Sequence, residues 1–500
     1  MPNLGCELTH CSLKLFRKLF KQTFIYGLAT VLPRMLSFLL VPLYTEVMPP
    51  NGYGELTIIF TFFAIFNVLL AYGMETAFFR FYNKEEDNER VLSTSLITLI
   101  GSTLLFLIVA ALFRKPLAAL MNIEVTYFWY FVVILCLDAL VIVPFARLRA
   151  TEQPGVYAII KIANVATNIV LNLFFLLALP KLAASDPDSL WAGLFVPDFQ
   201  ISYILIAMIV ASALTLLIVS GTYWRMQLEF DRALCRRMLR YGFPVMIAGI
   251  AFTINEVFDK YLLSELLPMD PELAKAEVGK YAACYKLAMF MTLFGTAFRL
   301  GIEPFFFAHA NSANPKRAYA QITNYFVVLG SVILLAVVVF SDVIKVLIIR
   351  DPAFWEAMSV VPIVLLASFF LGIYHNLSVW YKITDRTRFG AAISLVGAAL
   401  TIGINVAFIP SYGYMASAWA TLAAYGSMMV LSYLLGKKYY PIPYNMRKIA
   451  FYLGISLLFS VLSFYVFNRN LYIGLGLLLV FLALLYRLEK ELLINLIRGK

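Results

Sequence analysis

The sequence predicts an all-α integral membrane protein of about 14 transmembrane helices, built as two parallel-repeat six-helix bundles plus two C-terminal helices. Three observations predict this. Hydrophobic residues make up 62% of the 500 residues and charged residues only 14%, whereas a soluble domain keeps roughly a quarter of its residues charged. Such a chain cannot cover a water-facing surface, so lipid must be most of its solvent. The apolar residues also fall in runs of about 20, the length that crosses a bilayer as a helix. Finally, short motifs recur in order across the two halves.

The first 21 residues read as a cytoplasmic amphipathic segment: Leu13, Phe16, Leu19 and Phe20 oppose Lys14, Arg17, Lys18 and Lys21, the pattern of a helix lying on a membrane surface. Spans follow near 22–47, 54–80, 91–113, 125–147, 155–180 and 196–221, the N-terminal bundle of 22–221. A second set lies near 239–264, 279–307, 319–340, 355–381, 388–409 and 413–435, the C-terminal bundle of 239–435. Two further helices occupy 448–467 and 470–487, within 448–487, and a cytoplasmic tail takes 488–500. The longest segments outside the spans, an acidic 181–195 and a basic 222–238, leave no room for a soluble catalytic domain.

Orientation follows from the loops. With the N-terminus inside, cytoplasmic segments hold 26 Lys and Arg and outer loops hold 8, so the positive-inside bias puts both termini in the cytoplasm. The net charge of +11 is spread over these short segments and forms no basic domain, which argues against nucleic acid as a partner. Cys6, His10 and Cys11 are too sparse for a zinc site. No metal and no cofactor is expected.

The repeat is carried by three matches. Thr151-Glu152, Ala158, Asn172 and Phe175 return 233 positions later as Thr384-Asp385, Ala391, Asn405 and Phe408. Gly73-Met74-Glu75 with Phe78-Phe79 returns 228 positions later as Gly301-Ile302-Glu303 with Phe306-Phe307, and Tyr26-Gly27 matches Tyr241-Gly242. An even-numbered repeat keeps its orientation, so the halves are parallel repeats, a transporter symmetry that puts the substrate site at mid-membrane.

Charges inside spans cost about 2.5–3.5 kcal/mol each on insertion scales, so each needs a role. Arg34, Glu75, Arg80, Asp138, Lys161, Glu256, Asp259, Lys260, Lys286, Arg299 and Glu303 are the set. Arg34, beside Pro33, has no carboxylate three or four residues away. Together with Arg80, Lys286 and Arg299 it is a candidate substrate contact. Arg80 sits at the inner boundary, where it also reads as an interfacial anchor. Glu256 and Lys260, and Arg299 and Glu303, are each one turn apart and read as ion pairs as readily as ligand contacts. Asp138, Glu256 and Asp259 are candidates for ion coupling, Asp138 foremost because its own helix offers no cation within a turn.

The run from Tyr26-Gly27 through Pro42-Leu43-Tyr44, Gly52-Tyr53-Gly54-Glu55, the stretch Tyr72 to Tyr82, and Arg147-Leu148-Arg149-Ala150 resembles the Wzx-type polysaccharide transporters. These flippases belong to the multidrug/oligosaccharidyl-lipid/polysaccharide exporter superfamily. The resemblance implies alternating access in a bacterial inner membrane. The expected cargo is an undecaprenyl-diphosphate-linked oligosaccharide moved from the inner to the outer leaflet for lipopolysaccharide O-antigen or a similar surface polysaccharide. It also implies functional arginines in spans 1, 2 and 8, matching Arg34, Arg80 and Arg299, and a carboxylate in span 1. The latter is missing at mid-depth, Glu46 lying near the outer end. Expected partners are lipid-linked oligosaccharide, membrane lipids, and the polymerase and glycosyltransferases of the same polysaccharide. A proton or sodium gradient is the expected energy source, and no covalent chemistry is expected. The alternatives are a multidrug exporter of organic cations in the same superfamily, and a membrane polysaccharide polymerase or ligase, which would need a large catalytic outer loop.

Overall fold

The computed structural model describes residues 38–224, 228–308 and 314–497. Every regular element among them is helical, and twelve helices are long and apolar enough to cross a membrane; the chain is a multi-pass membrane protein. The amphipathic segment 1–21 and most of span 22–47, Arg34 included, lie outside the described residues. So does Tyr26-Gly27, one side of the third repeat match. The expected span 279–307 is no single long helix. Pro271–Tyr285 and Met289–Ala308 are helical and are joined by a tighter 3₁₀ turn over Lys286–Ala288.

The chain divides into two compact units, Met1–Tyr261 and Leu262–Lys500. In the first, the long helices are α1 (Pro50–Ala71), α2 (Met74–Tyr82), α3 (Asn88–Leu112), α4 (Val125–Leu140), α5 (Ile142–Ala150), α6 (Pro154–Leu173), α7 (Gln200–Val219) and most of α8 (Arg232–Leu266). Helix α7 packs on both α6 and α4, and α2 packs on α5. Phe63 and Phe131 meet with ring centres 4.8 Å apart, joining α1 to α4. Met74, Phe78, Leu96, Val143 and Met238 close a second cluster from four helices.

Two local details of this unit follow from backbone chemistry. The basic segment expected as a loop over 222–238 is helical from Arg232, because the Asp231 carboxylate accepts from the amides of Ala233 and Leu234 at 2.8 and 2.9 Å and so starts the helix. These amides hold the Asp231 carboxyl below its usual range. The span expected as one helix over 54–80 instead breaks where Tyr72 and Gly73 take φ of 33° and 73°. Gly73 is required there. A Cβ would lie 2.3 Å from the Gly242 carbonyl oxygen, and a Cβ on Gly242 would lie 2.7 Å from that of Tyr72. Helix α8 thus crosses the break backbone to backbone.

In the second unit the main helices are α9 (Pro271–Tyr285), α10 (Met289–Ala308), α11 (Pro315–Val339), α12 (Val361–Leu377), α13 (Arg388–Tyr412), α14 (Tyr414–Tyr439), α15 (Met446–Val461) and α16 (Leu471–Ile497). Helix α12 is the most enclosed and packs on α10, α11 and α14. Phe326 of α11 lies against Gly372 of α12, stacked on Phe294 at 5.1 Å and edge-on to Phe298 at 5.0 Å. Helices α15 and α16 pack on α11 around Leu335, Tyr452 and Phe481. The Glu489 carboxylate, almost fully buried near the α16 kink, accepts from Tyr452 at 2.8 Å and pairs with Lys448 at 2.6 Å.

The repeat at a shift of 233 is present in atomic detail. Glu152 and Asp385 both take a left-handed backbone, φ 54° and 56°. The Gln153 amide bonds to the Leu148 carbonyl at 2.9 Å, and the Arg386 amide to Tyr381 at 2.8 Å. Both are the six-to-one bond of a left-handed helix C-cap. Thr151 and Thr384 each donate a hydroxyl to the carbonyl four residues back, at 2.9 and 2.8 Å. Asn172 and Asn405 are both fully buried and do the same with their amides, at 2.8 and 2.7 Å. The Gly73/Gly301 match is sequence-deep only: Gly301 lies within the helix α10, with nothing near its Cβ direction.

Candidate functional site

In the first unit one group of intramembrane polar side chains lies on α4, α6 and α7. Ser212 donates to the Asp138 carboxylate at 2.7 Å. Lys161 holds its ammonium 4.2 Å from the centre of the Phe145 ring and interacts electrostatically with both Asp138 and Glu75. Sequence reasoning set Asp138 apart because its own helix carries no neighbouring cation; the fold supplies one from α6. Helix α6 presents Lys161, Asn164, Asn168 and Asn172, spaced three, four and four apart, which is one face of a helix. Asn164 donates to Thr215 at 2.9 Å, and Tyr44 donates to Asn172 at 3.0 Å. That face holds a carboxylate, an ammonium, three amides and hydroxyls within apolar helices. A carboxylate in such a setting can take up a proton or a small cation at Asp138.

A belt of charge closes the end of this unit where α2, α3 and α5 meet. Glu75 pairs with Arg149, Glu89 with Arg147 at 3.6 Å, and Glu85 with Arg237 at 3.0 Å. Arg80 is exposed and lies over the Tyr241 ring at 4.3 Å. A guanidinium on an aromatic face at the end of a span is an interfacial anchor, one of the two readings its sequence position allows.

The expected pairing of Glu256 with Lys260 is corrected. Lys260 donates to Asp259 at 2.9 Å, and its approach to Glu256, at 3.4 Å, is to the backbone carbonyl. Burial decides this: Asp259 is 1% exposed, and a desolvated carboxylate needs a counter-charge more than the half-buried Glu256 does. Asp259 is therefore an ion-pair partner, which removes the simplest route by which it would carry a coupling ion.

In the second unit Lys286 occupies the 3₁₀ turn between α9 and α10, and Arg299 is half-buried on α10. Glu303 belongs to the same helix, and its pairing with Arg299 lies outside the described side chains. His375 on α12 escaped sequence reasoning. Arg299 and Lys382 both act on it electrostatically. The signal was available, since His375 is one of three histidines and lies inside the apolar run 355–381. Among the described residues no group of His, Cys, Asp and Glu could hold a metal ion.

The family described as Polysaccharide biosynthesis protein matches residues 19–298. The MatE family matches residues 244–409. No curated protein matches the sequence. Among solved structures, the lipid II flippase MurJ in an inward closed conformation superposes with a TM-score of 0.72 at 14% identity, covering 93% of this chain and 99% of that one. An inward-facing MATE-family multidrug transporter of the MOP superfamily gives 0.63 at 13% identity, covering 86% and 95%. The Vibrio cholerae MATE transporter VcmN in its bent form gives 0.55 at 14% identity, covering 88% and 98%. At these identities the likeness is one of fold.

Proposed function

Since the chain belongs to the polysaccharide biosynthesis protein family, we propose that it is a flippase carrying an undecaprenyl-diphosphate-linked oligosaccharide from the inner to the outer leaflet by alternating access. The product would feed a surface polysaccharide such as O-antigen, in a bacterial inner membrane with both termini cytoplasmic. The observation that carries this reading is the family match over residues 19–298, and Arg299 and Lys382 are the cations of the second unit offered for the cargo. A diphosphate crossing a bilayer must lose water, and fixed guanidinium and ammonium groups offset its charge, arginine doing so with two parallel hydrogen bonds. Arg34 and Lys286 are proposed to join Arg299 in this role. Arg80, exposed on Tyr241, is proposed to act at the interface.

Coupling is assigned to Asp138. Its carboxylate is held by Ser212 and balanced through space by Lys161, so gaining or losing a proton or sodium ion changes the net charge of that face. No bond is made or broken in the transported molecule.

The MatE match over residues 244–409 supports a second reading, export of organic cations. Proteoliposomes separate the two. The proposal expects a labelled lipid-linked oligosaccharide to become accessible at the opposite leaflet, with loss of that transport in Arg299→Ala and Arg34→Ala at normal expression. Transport of an organic cation without movement of the lipid-linked sugar would favour the second reading.

A further inference from the structure

A cavity of about 490 Å³ opens in the second unit at the start of α11 and the end of α14. Lys316, Arg317 and Lys437 line it, with Tyr433, Tyr444 and the Pro441–Pro443 turn between them. No carboxylate is among its lining residues. Its lining residues are used by nothing in the transport reading.

The charges are arranged against the local helix field. The N-terminus of a helix carries partial positive charge, which favours acidic residues in the first turn. Helix α11 has none there and no side-chain cap at Asn314; Lys316 and Arg317 stand in that turn instead. The 25-residue α11 thus adds its own dipole to two cations, and Lys437 brings a third from the end of α14. Lys316 is kept in place over the Tyr440 ring at 4.5 Å. Three cations and a helix N-terminus around one cavity suit a compact, multiply charged oxyanion. The segments that supply them, 308–318 and 436–448, belong to the cation-rich side of the chain, which the positive-inside bias places at the inner leaflet, where basic pockets meet lipid headgroups.

We propose that this pocket binds a phosphate group at the inner membrane face, carried on an anionic lipid headgroup or free in solution. The site is separate from the proposed transport of lipid-linked sugar and stands or falls without it.

Native mass spectrometry of the purified full chain in neutral detergent tests this, with phosphatidylglycerol, phosphatidylcholine and inorganic phosphate as probes. Retention of phosphatidylglycerol over phosphatidylcholine is expected, with displacement by inorganic phosphate. Affinity should fall roughly fivefold for each cation removed and roughly a hundredfold in the triple variant Lys316→Gln, Arg317→Gln, Lys437→Gln. Lys437→Gln alone, at a helix end, provides the reading if the triple variant is unstable. Equal retention of the two lipids, combined with phosphate raising the thermal midpoint of wild type and not of the variant, would assign the site to free phosphate. Phosphatidylglycerol retention that neither the variants nor phosphate alter would overturn the proposal.

Discussion

Gly73 and Gly301 stand at matching places in the repeat, yet the structure assigns them opposite tolerances. At Gly73 the backbone is left-handed, which costs a residue with a Cβ about 1–2 kcal/mol. The new carbon would also meet the Gly242 carbonyl oxygen 2.3 Å away, a backbone atom on α8 that can yield only if the crossing opens. Overpacking of this kind costs about 1–3 kcal/mol. Gly73→Ala should therefore cost about 2–5 kcal/mol. Gly301 has nothing within 4 Å of its Cβ direction and lies within a helix, so Gly301→Ala should be neutral or stabilise by up to about 1 kcal/mol. The assay is the thermal midpoint of each purified variant, read by fluorescence-detected size exclusion. A fall of about 5 °C or more is expected for Gly73→Ala, with none for Gly301→Ala. Equal shifts would refute the claim that the two helices touch backbone to backbone at Gly73.

Three further outcomes are expected. Asp138→Asn keeps an oxygen for Ser212 to donate to, so the protein should fold and transport should lose its dependence on the ion gradient; unchanged dependence in proteoliposomes would remove Asp138 from the coupling role. Asp259→Ala leaves Lys260 buried beside a lost partner and should cost about 3–5 kcal/mol in thermal or denaturant unfolding, whereas Asp259→Leu with Lys260→Met should recover most of that. Reporter fusions at residues 190 and 230 should report opposite sides of the membrane, and a shared compartment would contradict the orientation derived from the loop charges.

Much of the fold was legible because it depends on local, periodic signals. Apolar runs give spans. The Thr151-Glu152 and Thr384-Asp385 pairs marked a turn that the two units build bond for bond. What stayed hidden depends on neighbours distant in sequence. Asp138 has no cation within one turn of its own helix, and the field of Lys161 reaches it from another helix. Spacing pairs Lys260 with Glu256, where burial selects Asp259. The break at Tyr72 needed knowledge that Gly242 crosses there. The polar face of α6 could have been read, since Lys161, Asn164, Asn168 and Asn172 are spaced for one helix face; attention to charges alone passed over the amides. Arg34, the residue the sequence favours most for diphosphate contact, lies outside the described residues, and its role rests on sequence and on the test by mutation.

The central claim is that fixed cations carry an anionic diphosphate across the membrane. The most direct measurement is the initial flipping rate, in one proteoliposome preparation, of a single oligosaccharide attached to the same polyprenyl chain through a diphosphate or through an uncharged linkage. The account predicts fast flipping of the diphosphate form, slow flipping of the neutral form, and a difference that shrinks in Arg299→Ala. Equal rates for the two forms in the wild-type protein would contradict it.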